Sequence, residues 1–467
     1  MNFSTLFSSF TCTSSIQKNG PEQEPPSQLH FDIDPVTGFV PPEPLPRLCR
    51  EFKIWEDVLE EAPDVLKLGD DISEEALALK AKGEAWRAHI RAISILDIVS
   101  LKAQPRILQR AHVVLAWLVQ YYVHSLPPSV ETKRVPASLA VPLVGVSRLL
   151  GIAPVITFSD TITWNWELIR PGDPVTIDNM AVVHNFTGRE DERHFYQVQA
   201  AIELHGVQIL QIIEEYTKTS HLDEPTISKI AGNLTRMTVI IEEINDLIQS
   251  IRTGCDPHVF YWEMRPWFNG NDAKGPSDPG WIYEGVDPDV PELKYLSGPS
   301  GGQSAVMHAL DLFLDISHDF EGGCSTNKPA DRGFMNRMRL YMLGKHRAYL
   351  EQLQKSPRPI RELAKYIPAL REPYNDAIAA LKKLRSFHMR IAVMYITNMA
   401  RASSLQPRNP EVGVDKNRQE VRVESGNVTK SNRPEQSEPV RGSGGSDFAP
   451  LLRAGIDATA RASLRDP

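Results

Sequence analysis

Apolar residues recur at three- and four-residue spacing along most of this chain, the signature of helices that bury one face. The pattern predicts helices within 49–63, 73–101 and 105–124, the last two rich in Ala, Leu, Ile and Val. It is lost between Pro127 and Pro154, where Pro128, Pro136 and Pro142 punctuate short apolar runs such as APVITF, and an irregular stretch is expected. Helical spacing resumes at 192–218 and 224–253. A loop dense in Gly, Pro, Asn and Asp follows over 265–302, and then helices at 303–319, 331–354, 357–368 and 373–400. From Arg401 to Ser446 the chain is polar with almost no apolar pattern, as expected of a mobile loop, yet a helical segment returns at 447–464. Strands do not alternate with helices, so no parallel sheet is expected. The expected fold is all-α. A disordered tail over 1–29 precedes a small mixed N-terminal domain over 30–186 and a large helical domain over 187–467, which contains the mobile loop 401–446.

Bulk composition narrows the function classes. At 467 residues, 41% hydrophobic and 24% charged, the chain has the make-up of a soluble globular protein with a substantial core. A net charge of -8 leaves no basic excess to neutralise phosphates, which argues against nucleic acid as a partner. Cys12, Cys49, Cys255 and Cys324 form no C-x-x-C pair, which fits a reducing compartment and gives no cysteine-based zinc or iron–sulfur site. The longest apolar stretches, such as Ala111 to Tyr122, fall short of the ~20 residues that span a bilayer, so no membrane is expected. The opening twenty residues lack a basic segment and a long apolar core, so neither a secretory nor a mitochondrial leader is expected. The expected location is the cytoplasm.

One stripe carries chemistry. Ala377, Leu381, Leu384, His388, Ile391 and Tyr395 are spaced by alternating fours and threes, which puts all six on one helical face. An imidazole there faces the interior and needs a partner. A haem iron is one candidate, and a carbonyl or carboxylate in an ordinary core is the other. GPSGGQS at 298–304 matches the hydrolase pattern G-x-S-x-G, but the preceding DPDVPELKYLS is charged and proline-bearing, unlike the buried strand that a nucleophile elbow must follow. It reads better as a Gly-rich loop that lets backbone approach a flat ligand before capping a helix from Gln303. Dinucleotide, P-loop and H-E-x-x-H patterns are absent. In CDPHVFYWEMRPWFNG, Phe260, Tyr261, Trp262, Trp267 and Phe268 flank Arg265. A guanidinium among rings suits a grip on the carboxylate of an aromatic substrate, although core filling with a surface ion pair explains the same residues. GSGGSD at 442–447 could cap the last helix or close over a ligand.

Together these segments resemble the indoleamine 2,3-dioxygenase family, haem enzymes of tryptophan breakdown, in its fungal type. The resemblance runs from about Asp32 to the C-terminus. It includes VP at 141–142, FSDTITWNW at 158–166, PGDPVTIDNM at 171–180, CDPHVFYWEMRPW, WIYEG at 281–285 and SGGQSAVMHALDLFLDI at 300–316. RMRLYMLGKHRAYL at 337–350, LREPYNDAIAALKKLRSFHMRIAVMYI at 370–396 and GSGGSDF at 442–448 complete it.

The resemblance implies roles residue by residue. His388 is similar to the proximal ligand of one haem b per chain, and Arg385 to the arginine that pairs with an aspartate, here Asp311, beside it. Phe260, Tyr261 and Arg265 resemble substrate-pocket residues, with Arg265 on the amino-acid carboxylate. Phe158, Thr161, Ile162 and Phe195 match the indole-pocket wall, Ser300 and Gly301 the distal loop, and Ser443 the segment that closes over the substrate amino group. The implied reaction opens the indole 2,3 bond of L-tryptophan with dioxygen to give N-formylkynurenine, on the kynurenine route towards NAD. A haem-binding paralogue with weak or altered indoleamine activity is the alternative. A monomer is expected. Gln199 stands where the family often has a small hydroxyl residue, and Leu343-Gly344 stands where prolines are usual. Gln199 and His194 are expected beside the distal face, narrowing the pocket or filling the sixth iron position.

Overall fold

Helices account for nearly all regular structure in the computed structural model, which describes residues 27–129, 131–271, 280–294, 296–318, 333–405 and 448–464. In the first part of the chain these are α1 (Lys53–Val65), α2 (Glu74–Ala92), α3 (Pro105–His124) and α4 (Ala137–Leu150). Next come α5 (Glu190–His205), α6 (Val207–Lys218) and α7 (Glu224–Gly254). After the loops follow α8 (Ala305–Phe313), α9 (Phe334–Met338), α10 (Gly344–Gln354) and α11 (Ile360–Tyr366). The last are α12 (Pro368–Ala392), α13 (Asn398–Leu405) and α14 (Phe448–Ala462). Strands are two or three residues long. β1 (Arg134–Val135) pairs parallel with β4 (Ile282–Tyr283), and β2 (Trp166–Leu168) pairs antiparallel with β3 (Met180–Val182) in the register Trp166↔Val182. The fold class is the expected one.

α7 and α12 form the long central pair. α7 starts where Asp223 accepts from the Thr226 amide at 3.0 Å, with a proline in its first turn, so one first-turn N–H is capped and another is absent. Leu234, Met237, Ile241 and Ile244 of α7 pack along Leu370, Tyr374, Ala377, Leu381 and Leu384 of α12, all buried. Each large side chain removed from water there contributes about 1.5–3 kcal/mol. α3 is apolar on all sides and buried on all sides, from Leu108 to Val123. Its polar residues are therefore paired: Arg110 meets both carboxylate oxygens of Glu56 at 2.8 and 2.6 Å, and His112 Nδ1 meets Asp160 at 2.7 Å. Among the described residues no helix is long and apolar enough to cross a membrane.

Several boundaries differ from the expected pattern; among them, the helix expected over 303–319 ends at Phe313, and that expected over 331–354 is split into α9 and α10. The proline-rich stretch contains α4, because Leu139, Leu143, Val146 and Leu150 bury one helical face and Pro142 removes one backbone bond without outweighing it. Gly151, at φ +67°, ends that helix in the left-handed conformation that only glycine adopts freely. The second predicted helix stops at Ala92, and the expected mobile loop begins inside α13. Residues 406–447 and 1–26 lie outside the described residues; a short 3₁₀ turn already begins at Gln28 within the expected tail.

Candidate functional site

Every apolar member of the α12 stripe and its extension is buried: Ala377 and Leu381 at 0%, Leu384 at 3%, Ile391 at 9% and Tyr395 at 3% exposure. His388, in the middle, is exposed, and its ring has no hydrogen-bond partner among the described residues. Burial by the surrounding elements, with a smaller contribution from the Arg385 charge, nevertheless lowers its pKa. The ring is thus open to solvent while its surroundings still strip part of its hydration. Neutral imidazole, the metal-binding form, is favoured there.

One turn earlier, Arg385 reaches across to α8. Its Nη2 lies 2.5 and 2.6 Å from the two carboxylate oxygens of Asp311, and its Nη1 meets Thr459 Oγ1 of α14. His318 Nε2 also meets Asp311, at 2.7 Å. Burial pushes the Asp311 carboxyl up, but the Arg385 charge and the His318 contact outweigh it and hold the pKa below the usual range. This pair anchors the helix on which the His388 ring stands.

The aromatic run divides in two. A wide π turn, Phe260–Met264, follows a single helical turn at Pro257–Val259 and fans its side chains apart. Phe260 turns inward, 5.1 Å from the Phe195 ring of α5 and 5.6 Å from that of Tyr395, while Trp262 is exposed. Arg265 lies over the Tyr261 ring at 5.3 Å, and burial lowers its pKa, so this cation is partly stripped of water. Trp267 and Phe268 instead fill core: Trp267 stacks on Phe186 at 5.2 Å and 4°. Phe158, Thr161 and Ile162 are buried in and beside a second π turn, Ser159–Thr163, against α5.

The Gly-rich loop serves backbone packing as well as openness. A Cβ at Gly298 would stand 1.7 Å from the Phe268 carbonyl oxygen, so the close approach is to this protein's own chain. Gly301 has nothing within 4 Å of its Cβ position, and Ser300 Oγ accepts from the Gly302 amide at 3.2 Å. The following helix is capped by Ser304 and starts at Ala305, two residues later than expected. The His194 ring is committed to α7: it bonds the Ser250 carbonyl at 3.0 Å and sits over Gly254. That corrects the expectation of an extra imidazole at the distal face. Gln199 Nε2 donates to the Phe195 carbonyl at 3.4 Å, so the amide does remain on the Phe195 side of α5. Ser443 lies outside the described residues.

Two residues that sequence reasoning passed over organise this wall. Gln303 accepts from the Phe158 amide at 2.8 Å and donates to the Gly298 carbonyl at 2.9 Å, so one side chain joins both segments. Glu203, one turn beyond Gln199 on α5, is 1% exposed and accepts from the Ser304 hydroxyl. Gln303 lay inside a quoted motif and Glu203 continued the Phe195–Gln199 stripe. Those were the available signals.

Among the described residues no three His, Cys, Asp or Glu side chains gather as a cage for a bare ion. A lone accessible imidazole suits instead a metal group that brings its own in-plane donors, and haem is such a group. Comparison with known proteins agrees. The family model for indoleamine 2,3-dioxygenase matches residues 27–462. Indoleamine 2,3-dioxygenase 1 of Rattus norvegicus is 28% identical over 440 residues, 94% of this chain and 96% of the relative. Indoleamine 2,3-dioxygenase 2 of Mus musculus is 30% identical over 392 residues, 83% and 88% of the two chains. A 6-hydroxytryptophan 2,3-dioxygenase of Fusarium equiseti is 26% identical over 377 residues, 79% and 84%. An all-helical haem dioxygenase is thus the class defined by fold and site. The chain belongs to the indoleamine 2,3-dioxygenase family, oxidoreductases that add dioxygen to tryptophan or a related indoleamine.

Proposed function

We propose that this protein opens the indole 2,3 bond of L-tryptophan to give N-formylkynurenine, using one haem b per chain, as a cytoplasmic monomer. The observation that carries the reading is His388: an accessible imidazole, with its pKa lowered, interrupting an otherwise buried stripe beside the Arg385–Asp311 pair. His388 would hold the iron, and Arg385 with Asp311 fixes the helix that would present it. When bound, haem supplies dioxygen activation. The bond between C2 and C3 breaks and both oxygen atoms remain in the product, so no external reductant is consumed in a turnover.

The protein's own work is binding and exclusion of water. Arg265 takes the substrate carboxylate, its charge strengthened by partial desolvation. Phe158, Thr161, Ile162, Phe195, Phe260 and Tyr261 wall the indole and keep the site dry. Ser300 and Gly301 border the distal side, where Gly301 leaves room for the ring. Ser443 is assigned to the substrate amino group.

One observation favours a second reading, an enzyme for a substituted indole. Gln199 Nε2 is bonded to the Phe195 carbonyl while its Oε1 has no bond among the described residues. A ring hydroxyl would find an acceptor there, and the Fusarium relative carries a hydroxylated substrate in its name. The ferrous–carbon monoxide spectrum, recorded alone and with L-tryptophan or 6-hydroxytryptophan, tests both readings. A Soret band that shifts with L-tryptophan, together with N-formylkynurenine formation, supports the first. A response to the hydroxylated substrate alone supports the second, and absence of a Soret band overturns both.

A further inference from the structure

The buried carboxyl of Glu203 has no role in ligating haem or gripping substrate, yet it stands under the turn assigned to the distal wall. It is on α5, four residues beyond Gln199 and eight beyond Phe195, so the three share a stripe. The Ser304 hydroxyl donates to Glu203 Oε1 while Ser304 Oγ accepts from the Met307 amide at 3.3 Å. That hydroxyl proton is therefore committed to Glu203. Glu203 Oε2 has no hydrogen-bond partner among the described residues. Ser304 caps α8 and directly follows the Gly301–Gln303 turn. Within that turn Gln303 links the Phe158 amide to the Gly298 carbonyl, and His308 Nε2 donates to the Gly302 carbonyl at 2.8 Å. A shift at Ser304 reaches both walls.

We propose that Glu203 is a positioning residue for substrate binding: through Ser304 it fixes the start of α8 and the Gly301–Gln303 turn, and its charge state sets how firmly that turn is held. The proposal rests on the assignment of this turn to the substrate side of the haem.

Burial pushes the Glu203 carboxyl up to about 7, against the smaller opposing effects of the Ser304 and Val306 hydrogen bonds. The titratable groups on the surrounding elements are engaged elsewhere. His205 of α5 meets Glu243 of α7, His308 of α8 lies between Gly302 and Arg339, and Asp311 of α8 pairs with Arg385. Burial pushes the His308 pKa down to about 4, which leaves it neutral in the range where Glu203 titrates. Above that midpoint Glu203 is a carboxylate, and the Ser304 bond is charge-assisted and aligned with the dipole of α8. Below it the proton goes to Oε2, which faces no acceptor, and the Ser304 bond is reduced to a neutral one of roughly half the strength. The turn is held more firmly at pH 8 than at pH 6. Overall stability from this group has the opposite sign: its folded pKa is raised, so the contribution is present in acid and lost as pH rises through about 7.

Amide hydrogen exchange of the full-length protein at pH 6 and pH 8, corrected for the intrinsic rate, reads the turn with or without haem. Wild-type amides of 301–307 are expected to gain about fivefold protection at pH 8, and Glu203→Gln and Ser304→Ala should each abolish that gain. The Michaelis constant for tryptophan should fall about fivefold over the same interval in the wild type and stay flat in both variants, with kcat little changed. Protection that follows pH in Glu203→Gln as in the wild type overturns the proposal. Protection that behaves as expected while the Michaelis constant stays flat in the wild type leaves Glu203 holding the turn but removes the turn from the substrate side. In that case it is the functional assignment that fails.

Discussion

Arg385 and Asp311 grip one another through both carboxylate oxygens, at 2.5 and 2.6 Å, between the helix that bears His388 and the helix that follows the Gly301–Gln303 turn. Asp311 is seven residues beyond Ser304 on α8, so one short helix ties the two sides of the site together. Removing the carboxylate leaves Arg385 largely buried without its main counter-charge, at a cost of about 3–5 kcal/mol. Asp311→Ala is expected to lower the melting temperature and loosen haem retention, as followed by calorimetry and by haem transfer to an acceptor protein. An unchanged retention rate would confine the pair to a structural role.

His388→Ala should abolish stable haem incorporation while leaving the far-ultraviolet helical signal nearly intact, because the ring is exposed and fills no core position. The check is the Soret-to-280 nm ratio after reconstitution. Full occupancy with an unaltered spectrum would move the ligand elsewhere.

For Arg265→Ala, the loss of a charge-assisted contact in a partly dry site corresponds to about 1.5–3 kcal/mol, roughly ten- to a hundredfold in the Michaelis constant. Haem content should not change. Steady-state kinetics and the Soret absorbance separate the two effects.

Gln199 and His194 should part company. His194→Ala removes a bond to the Ser250 carbonyl and is expected to cost about 1 kcal/mol of stability with kinetics unaltered. Gln199→Ser frees space beside Phe195 and should raise tryptophan turnover, measured as N-formylkynurenine formation. Equal kinetic effects at the two positions would contradict their placement on different faces of α5.

Acid should unfold this protein in part through Glu56. Burial pushes its carboxyl up, but Arg110, the Leu48 amide and Arg47 outweigh that and bring the pKa to about 2 from the model-peptide 4.5. The folded pKa is depressed, so the stabilisation is complete above 4.5 and lost as pH falls towards 2. It amounts to about 3 kcal/mol at neutral pH. Denaturant titrations of wild type and Glu56→Gln should converge in acid and diverge above pH 5.

How far this could be read beforehand depended on whether a residue answers to its own helix or to a distant one. The apolar members of the His388 stripe were legible because burial of Leu381, Leu384 and Ile391 follows from spacing alone, but His388 itself, expected to face the interior, is exposed. α4 was not, since Pro136 and Pro142 speak against a helix locally while the packing of Leu139, Leu143 and Val146 decides for it. His194 was misplaced because its neighbour Phe195 looked like its companion, although successive helical residues point about 100° apart. Gln303 and Glu203 act across separations of 145 and 101 residues, and no periodicity encodes such partners.

The wide turns have a consequence for the lineage as well as for the molecule. Ser159–Thr163, Phe260–Met264 and Val393–Thr397 each hold one residue more than an α-helical turn of the same span would carry. Deleting that surplus residue would let ordinary hydrogen bonding resume, with the flanking turns kept in register and one side chain of the wide turn lost. The fan of side chains between Phe260 and Arg265 therefore hangs on a single codon. Across descendants of this chain, length changes in these three segments should be purged even where substitutions are tolerated, and a sequence that has lost one of them should have lost its oxygen chemistry as well.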